Sequence, residues 1–570
     1  MLSTYSLDLE AVLALPLAVL SQGDMSIEEL LRDPLWLIEG LREAGSRVHV
    51  FVDAAAMTIP RNARNLYAFL EPSVHPVRAP NGGAFHPKVW VARFTGNAGV
   101  LLRVAVLSRN LTFDRSWDVA LATEGIPANK QRAASSRGLA AFLRVLPDLS
   151  VEALTPELAG MIGEIADEVE RTRFPSPQGL GDAVDFEALG IDAKAQRARL
   201  WRPRPDGARL LAIAPFANKT ALNLLAGITA GERILVSRQE TLDELAEETL
   251  DGWSAMVLCD GAVDETQDED HSPPSGLHAK LLAIEHGREV SWWIGSANLT
   301  AAAFTGTNVE MMVRLTAARK DRGINRFMEA GFSKLCEPYR RRDVCLEPQA
   351  VEARSRLEQA RAALVGAELL VRCRASDEGW EWTLTGAVSL PPGVAVTHWP
   401  LSIDESHARE LDLPAAWNLP LVRLTCFVAF RISACDVDTD DIRIVLKLPV
   451  NGLPADHTAH ILRGLIDSPE RFLQFLRALL GGLEGLGLAW LDGEQVGAEK
   501  RGNWGSDWTS DALLEDLVRA ASRGPARLGA IRRLVSDLRV TEEGRRIVTE
   551  EFIEIWDVIE RALEIYHEAT

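Results

Sequence analysis

Six cysteines in 570 residues, at positions 259, 336, 345, 373, 426 and 435, form no Cys-x-x-Cys pair. That spacing argues against a compact zinc cluster and offers no framework of disulfides. The longest apolar stretch near the start, residues 11–20, is about half a membrane span and contains Pro16. The first basic residue is Arg32, and Asp8 and Glu10 stand where a secretory signal needs positive charge, so the expectation is a cytoplasmic protein without a membrane partner. Positive charge is short overall: 61 Lys and Arg face 81 Asp and Glu, a net charge of −20. A surface of that sign does not coat nucleic acid or anionic lipid, although a local basic cleft remains open. Lysine is the scarcest means of carrying positive charge. Only positions 88, 130, 194, 219, 280, 320, 334, 447 and 500 have it, so 61 less nine leaves 52 arginines.

What is present is an ordinary globular composition, 47% hydrophobic and 25% charged, in a chain long enough for two to four domains. The first 180 residues mix amphipathic helical segments with β runs at 47–52, 88–94 and 100–107. A Pro/Gly/Ser stretch at 174–181 reads as a linker. The pattern then restarts, with strands expected at 210–213, 233–236, 255–258, 280–284 and 290–294 and helices at 221–225 and 242–249. Alternation of this kind predicts an α/β domain, and its recurrence predicts a duplication. Beyond residue 340 a helix is expected at 351–363. Strand-like runs at 380–384, 421–432 and 442–448 then lie between Pro, Gly and Asp turns, as in a β-sandwich. From Pro454 the chain reads as helical, and Val548, Phe552, Ile555, Ile559, Leu563 and Tyr566 mark the apolar face of the last helix.

Two motifs repeat in register. The first copy has His86-Pro-Lys88, then Ser108-Arg-Asn110-Leu-Thr112; the second has His278-Ala-Lys280, then Ser296-Ala-Asn298-Leu-Thr300. An acid follows each, Asp118 and Glu310. In a strand the side-chain period is two, so His and Lys of H-x-K project from one face. The S-x-N segment closes the next strand and leads toward a helix N-terminus, which adds donors. Two such half-sites give one centre two imidazoles, two ammoniums and two carboxamides, a set suited to a phosphodiester. One neutral His attacks phosphorus, the other gives the leaving oxygen its proton, and Lys and Asn stabilise the equatorial oxygens. An acid on each ring's second nitrogen fixes its tautomer. This chemistry needs no metal or other cofactor. With nine lysines among 61 basic residues, Lys at both H-x-K sites has a chance of about 2%, which suggests that a compact ammonium is wanted there.

These residues resemble the phospholipase D superfamily, whose signature is a duplicated H-x-K…G-S-x-N. The Asp usual seven residues after the His is replaced by Arg93 and Glu285, a departure that looks like the tyrosyl-DNA phosphodiesterase branch. The run 296–303 is similar to that branch and to small bacterial nucleases of the superfamily. The first copy departs further, with Leu107 in place of Gly and Pro87 inside H-x-K; proline there favours a strand end or edge. The resemblance covers about residues 40–335. It implies an α/β fold with phospholipase D-like α/β/α halves at 1–180 and 200–345 sharing one active site. A sandwich-like β domain is expected at 365–452 and a helical domain at 455–570. It implies His86 as the phosphohistidine nucleophile and His278 as the acid. Lys88, Lys280, Asn110 and Asn298 would hold the phosphate, Ser108 and Ser296 would support it, and Asp118 and Glu310 would orient the histidines. The activity implied is a nuclease acting on DNA rather than RNA. A bacterial nuclease of this kind with a large C-terminal half suggests an anti-phage system with a helicase or translocase partner, or self-assembly through that half. The same residues serve a lipid phosphodiesterase or phosphatidyltransferase, and a degenerate copy serves as a non-catalytic binding module.

Other features have plainer readings. Residues 264–271 (D-E-T-Q-D-E-D-H) are contiguous acids and read as a solvated loop rather than a metal site. Trp292, Trp293, Trp380 and Trp382 are expected in cores; Trp504 and Trp508 sit in a Gly/Asp/Ser-rich loop. Arg519, Arg523, Arg527, Arg532, Arg533 and Arg539 make a basic stretch, a solvated helix face or else a surface for nucleic acid or a partner.

Overall fold

The computed structural model describes residues 1–13, 47–60, 65–97, 99–113, 116–192, 201–203, 206–259, 276–342, 348–377, 379–466, 468–469, 472–473, 476, 517–518, 525–540 and 542–568. Residues 264–271, Trp504, Trp508, Arg519 and Arg523 lie outside them.

Two sheets carry the repeat. The first has the spatial order Val74–Val77, Val50–Asp53, Leu2–Thr4, Val89–Gly96, Gly99–Leu107, Ala120–Gly125. The second runs Cys336–Pro338, Ser254–Leu258, Arg233–Val236, Arg209–Ile213, Leu281–His286, Glu289–Gly295, Glu310–Ala318, Asp185–Leu189. In each, the strand that opens the half (Leu2–Thr4 or Arg209–Ile213) pairs parallel to the next strand of its own sheet (Val50–Asp53 or Arg233–Val236) and antiparallel to the strand that follows H-x-K. The six-strand pattern is therefore duplicated, and the second copy gains one extra edge strand on either side. The apolar runs Val50–Asp53, Arg209–Ile213 and Arg233–Val236 suit strands covered on both faces.

One apolar core, including Phe85, Val106, Phe142 and Phe174 from the first half and Leu211, Leu277, Val309 and Met311 from the second, runs across both halves. Its continuity fixes the halves relative to each other. Between them, Phe85 bridges Val309 and Trp117 bridges Leu277 in the parallel sense. These two bridges place each H-x-K beside the acid-bearing segment of the opposite half.

The segment expected as a separate sandwich forms two sheets. One is four-stranded (Ala415–Leu419, Gly379–Thr385, Leu370–Ser376, Val450–Asn451). The other has six strands in the order Leu7–Asp8, Met57–Thr58, Ile442–Lys447, Phe427–Ala434, Val394–Pro400, Arg409–Glu410. Its first two strands come from the N-terminal segment, and its core is continuous with Leu7, Val12, Val52 and Tyr67. The expected boundaries 1–180 and 365–452 are thus crossed, because the apolar edge of the first half is buried by strands from the far end of the chain.

The helix Pro348–Gly366 lies on the six-stranded sheet through Ala353, Leu357, Ala360 and Leu364, one stripe at helical spacing. The strand expected at 421–432 begins only at Phe427. Before it, Pro420 caps a short 3-10 turn at Leu421–Arg423, and the Thr425 hydroxyl and Cys426 N–H donate to the buried Glu71 carboxylate (2.7 and 2.9 Å). The helix expected at 242–249 is split into Gln239–Glu244 and a 3-10 turn Glu247–Leu250. In the C-terminal helix Glu550–Glu568, Phe552, Trp556 and Ile559 are buried. Of the expected face, Val548, Phe552 and Ile559 are buried and Ile555 is half-buried, Trp556 joins it, and the Leu563 and Tyr566 side chains lie outside the described residues.

Candidate active site

Both H-x-K triplets lie in extended chain just before a strand rather than inside it: Val89–Gly96 follows the first and Leu281–His286 the second. That location accommodates Pro87. In the second copy His278 and Ala279 both donate backbone N–H groups to Trp117 O (3.0 and 2.8 Å). In the first, His86 N–H donates to Val309 O at 2.9 Å, and Pro87 simply has no second donor to offer.

The four motifs meet at one place, with the halves crossed. His86 Nδ1 lies 2.8 Å from Glu310 Oε2, and His278 Nδ1 lies 3.0 Å from Asp118 Oδ1. Each imidazole is therefore oriented by the acid of the other half. With Nδ1–H donating to a carboxylate, Nε2 is left as the free lone pair on each ring. The serines hold the acids of their own half. Ser108 Oγ donates to Asp118 at 3.0 Å, and Ser296 Oγ to Glu310 at 2.5 Å. Each serine oxygen also accepts the N–H of the residue after that acid (Val119, 2.9 Å; Met311, 3.0 Å). This corrects the expectation for Ser108 and Ser296: completely buried, they support the carboxylates rather than a phosphate. Gly295 precedes Ser296 where a Cβ would come 2.1 Å from Met311 O. The first half has room for Leu107 at the matching place.

Lys88 and Lys280 are also buried, 0% and 1% exposed. Lys88 Nζ donates to His86 O at 2.9 Å and Lys280 Nζ to His278 O at 2.8 Å, so each ammonium folds back under its own histidine. Burial first, then the neighbouring Lys280 charge, pushes Lys88 well below the ordinary lysine range. Taking each ammonium out of water costs several kcal/mol unless an anion is close, and the pair repel each other. The Glu310, Asp118 and Asp53 charges oppose the shift of Lys88. The carboxamide oxygens of Asn110 and Asn298 are buried without a hydrogen-bond partner, so both copies strand the same polar group at the same place, at a cost of ~1–3 kcal/mol each.

Burial pushes the His86 imidazole down to about 4, outweighing the Glu310 charge that raises it. His278 is lowered for the same reason, opposed by its hydrogen bond to Asp118. Burial raises both acids, but the His278, Ser116 and Ser108 hydrogen bonds hold Asp118 below its ordinary range. The His86 and Lys88 charges do the same for Glu310.

The residues two before each acid complete the pattern. Ser116 Oγ donates to Asp118 Oδ2 at 2.7 Å, and Asn308 Nδ2 to Glu310 Oε1 at 3.3 Å. Their polar-x-acid spacing recurs in both copies, Ser116-Trp-Asp118 and Asn308-Val-Glu310, and is the local signal for these two residues. Tyr5, Asp53 and Arg361 also gather at the His86 side, and no local pattern marks them.

The signature positions that depart from the superfamily are structural. Arg93 pairs with Glu168 (2.8 Å) and Glu164 (3.0 Å), and Glu285 accepts the N–H of Ile324 at 2.8 Å. The expected helix after S-x-N is a single turn, Ala301–Phe304, in the second copy, and in the first copy residues 111–113 and 116–119 are not helical. In the described part of the basic stretch Arg532 pairs with Glu560 at 2.6 Å, and Arg532, Arg533 and Arg539 are exposed. The Arg527 side chain lies outside the described residues.

No family model matches the chain, and no curated protein matches it. Among solved structures it is similar to yeast tyrosyl-DNA phosphodiesterase at 12% identity, covering 50% of this chain and 81% of that one, with TM-scores of 0.31 and 0.33 in two crystal structures. It is also similar to polyphosphate kinase from Porphyromonas gingivalis at 12% identity, covering 63% of this chain and 48% of that one, with a TM-score of 0.32. Likenesses of that size leave the assignment to the chain's own residues. No helix among the described residues is long and apolar enough to cross a membrane.

Proposed function

We propose that this protein is a phosphodiesterase of the phospholipase D type acting on nucleic acid through a covalent phosphohistidine. The observation that carries the proposal is the crossed pair His86–Glu310 and His278–Asp118 (2.8 and 3.0 Å) above two buried lysines. His86 is neutral above about pH 4, so its Nε2 lone pair attacks phosphorus in line. The P–O bond to the leaving group breaks as His278 Nε2–H gives that oxygen its proton. His278, now neutral, takes a proton from water, whose oxygen attacks the phosphohistidine and frees His86. Lys88 and Lys280 balance the phosphoryl charge, and the Asn110 and Asn298 carboxamides, turned to present N–H, hydrogen-bond its oxygens. Glu310 and Asp118 set the tautomers and stabilise each imidazolium as it forms.

Nucleic acid is preferred over lipid as the substrate because of Phe216. It is 48% exposed, and the Arg238 guanidinium lies 5.3 Å from its ring centroid. Its carbonyl accepts the N–H of Leu299, next to Asn298, at 3.0 Å. Arg238 in turn donates to Leu277 O, next to His278, at 2.8 Å. An open aromatic face backed by a cation beside the phosphate site suits a stacked base.

The test is turnover of single-stranded DNA, duplex DNA, RNA and phospholipid vesicles, each with and without chelator. Chelator-insensitive cleavage of a nucleic acid, lost in His86→Ala, is the expected result. Cleavage abolished by chelator and restored by Mg²⁺ overturns the mechanism, and turnover confined to vesicles overturns the substrate.

A further inference from the structure

The duplicated topology makes differences at equivalent positions informative. Leu7 bridges Leu111 and Ala217 bridges Leu299, in each case the residue after the signature Asn. Counting back two puts Tyr5 where the second half has Pro215. Strand pairing agrees, with Ser3 opposite Val89 and Ile213 opposite Leu281.

Proline cannot reach a histidine from that place; tyrosine does. The Tyr5 ring centroid lies 5.2 Å from that of His86 with the planes at 57°, and Lys88 Nζ lies 5.9 Å from the Tyr5 centroid. The Tyr5 hydroxyl is faced by the guanidinium of Arg361, which comes from the helix Pro348–Gly366, outside both halves. Arg361 is itself held by Glu358 at 2.7 Å. Asp53, within electrostatic reach of Arg361 and Lys88, accepts the N–H of Phe85, the residue before His86, at 2.7 Å. Contact therefore runs without a break from that helix through Arg361 and Tyr5 to the imidazole.

We infer that Tyr5 and Arg361 are positioning residues for His86, so that the helix Pro348–Gly366 completes the first half of the active site. One hydrogen bond at Nδ1 leaves an imidazole free to tilt about that bond. A tilted ring packed against the imidazole restricts that motion and aims Nε2, and small errors in aim cost up to about 10²-fold in rate. Among the described residues His278 has the carboxylate and no such ring, so the two histidines are not interchangeable and the braced one is the nucleophile. This inference rests on the phosphodiesterase reading for its kinetic consequence but not for its structural one.

The experiment uses the full chain and two readouts. The first is turnover of bis(p-nitrophenyl) phosphate. The second is the NMR titration of ¹³C-labelled histidines, assigned with His86→Gln and His278→Gln. Tyr5→Ala and Arg361→Ala are expected to lower kcat by about 10- to 100-fold with KM changed less than about threefold. They are also expected to move the His86 resonance and leave that of His278 in place. Tyr5→Phe and Arg361→Lys, which keep the fold, should fall between these variants and the parent. Arg354→Ala, on the exposed side of the same helix, should change nothing. Unmoved kcat, or His86 and His278 resonances perturbed alike, overturns the inference. If the parent chain turns over no phosphodiester, the functional reading fails, and the His86 resonance still decides whether Tyr5 and Arg361 brace it.

Discussion

The two halves share a sheet order and a set of six chemical groups, yet they differ one residue away from nearly every one of them. Pro87 faces Ala279, Leu107 faces Gly295, Asp118 faces Glu310, Tyr5 faces Pro215 and Ser6 faces Phe216. What is duplicated is the His, Lys, Ser and Asn set with an acid after it; what diverges lies beside each imidazole. His86 sits under Tyr5 against the completely buried Glu310, whereas His278 pairs with an acid that is still 16% exposed on its side chain. A duplicated centre used on an asymmetric reaction needs one base and one acid, and the surroundings supply that distinction.

Removing either imidazole tests the comparison most severely. His86→Ala and His278→Ala are each expected to lower kcat by at least ~10³-fold. Only His278→Ala retains labelled phosphate on the protein after denaturation without acid, when the substrate has a good leaving group. Label retained by His86→Ala instead reverses the roles.

Next come the acids. Glu310→Gln and Asp118→Asn should cost about 10²- to 10⁴-fold, and the crossed geometry makes a specific demand. Glu310→Gln must perturb the titration of His86, in the other half of the chain, and leave His278 alone. An effect confined to the histidine of its own half breaks the crossing.

The pH profile of kcat/KM follows from the signs. His86 must be neutral, so activity is lost as pH falls through about 4. His278 must be protonated, so activity is lost as pH rises through a value below its ordinary 6.5. The bell therefore lies on the acid side of neutrality, its limbs belonging to the coupled pair. An optimum above pH 7 in kcat/KM breaks the assignment of His278 as the acid.

The smallest effect belongs to the rim. Phe216→Ala should raise KM for an oligonucleotide by about tenfold, the size of one lost base stack. It should leave KM unchanged for the same strand carrying abasic sites. Equal effects on both substrates remove the stacking role.

Some of this was legible in the residues alone. The paired H-x-K and S-x-N segments, and the restart of the strand pattern after residue 181, are local spacings that survive folding unchanged. The strands at 210–213, 233–236 and 290–294 were legible for the same reason, because apolar β-branched runs between turns have one way to be buried. The strand expected at 421–432 misled because its first residues are diverted to the buried Glu71, 354 residues away from Thr425.

The amino-acid sequence by itself determined that the chain carries two half-sites with the groups a phosphodiester needs, since spacing along a strand sets which side chains share a face. Only the tertiary structure decided that the acids are exchanged between halves, that Ser108 and Ser296 hold carboxylates, that Tyr5 reaches His86 and that Arg361 reaches Tyr5. Those contacts join residues 10 to more than 350 positions apart. They exist because one apolar core locks the two sheets together, and a second folds the C-terminal strands and helix against the N-terminal edge.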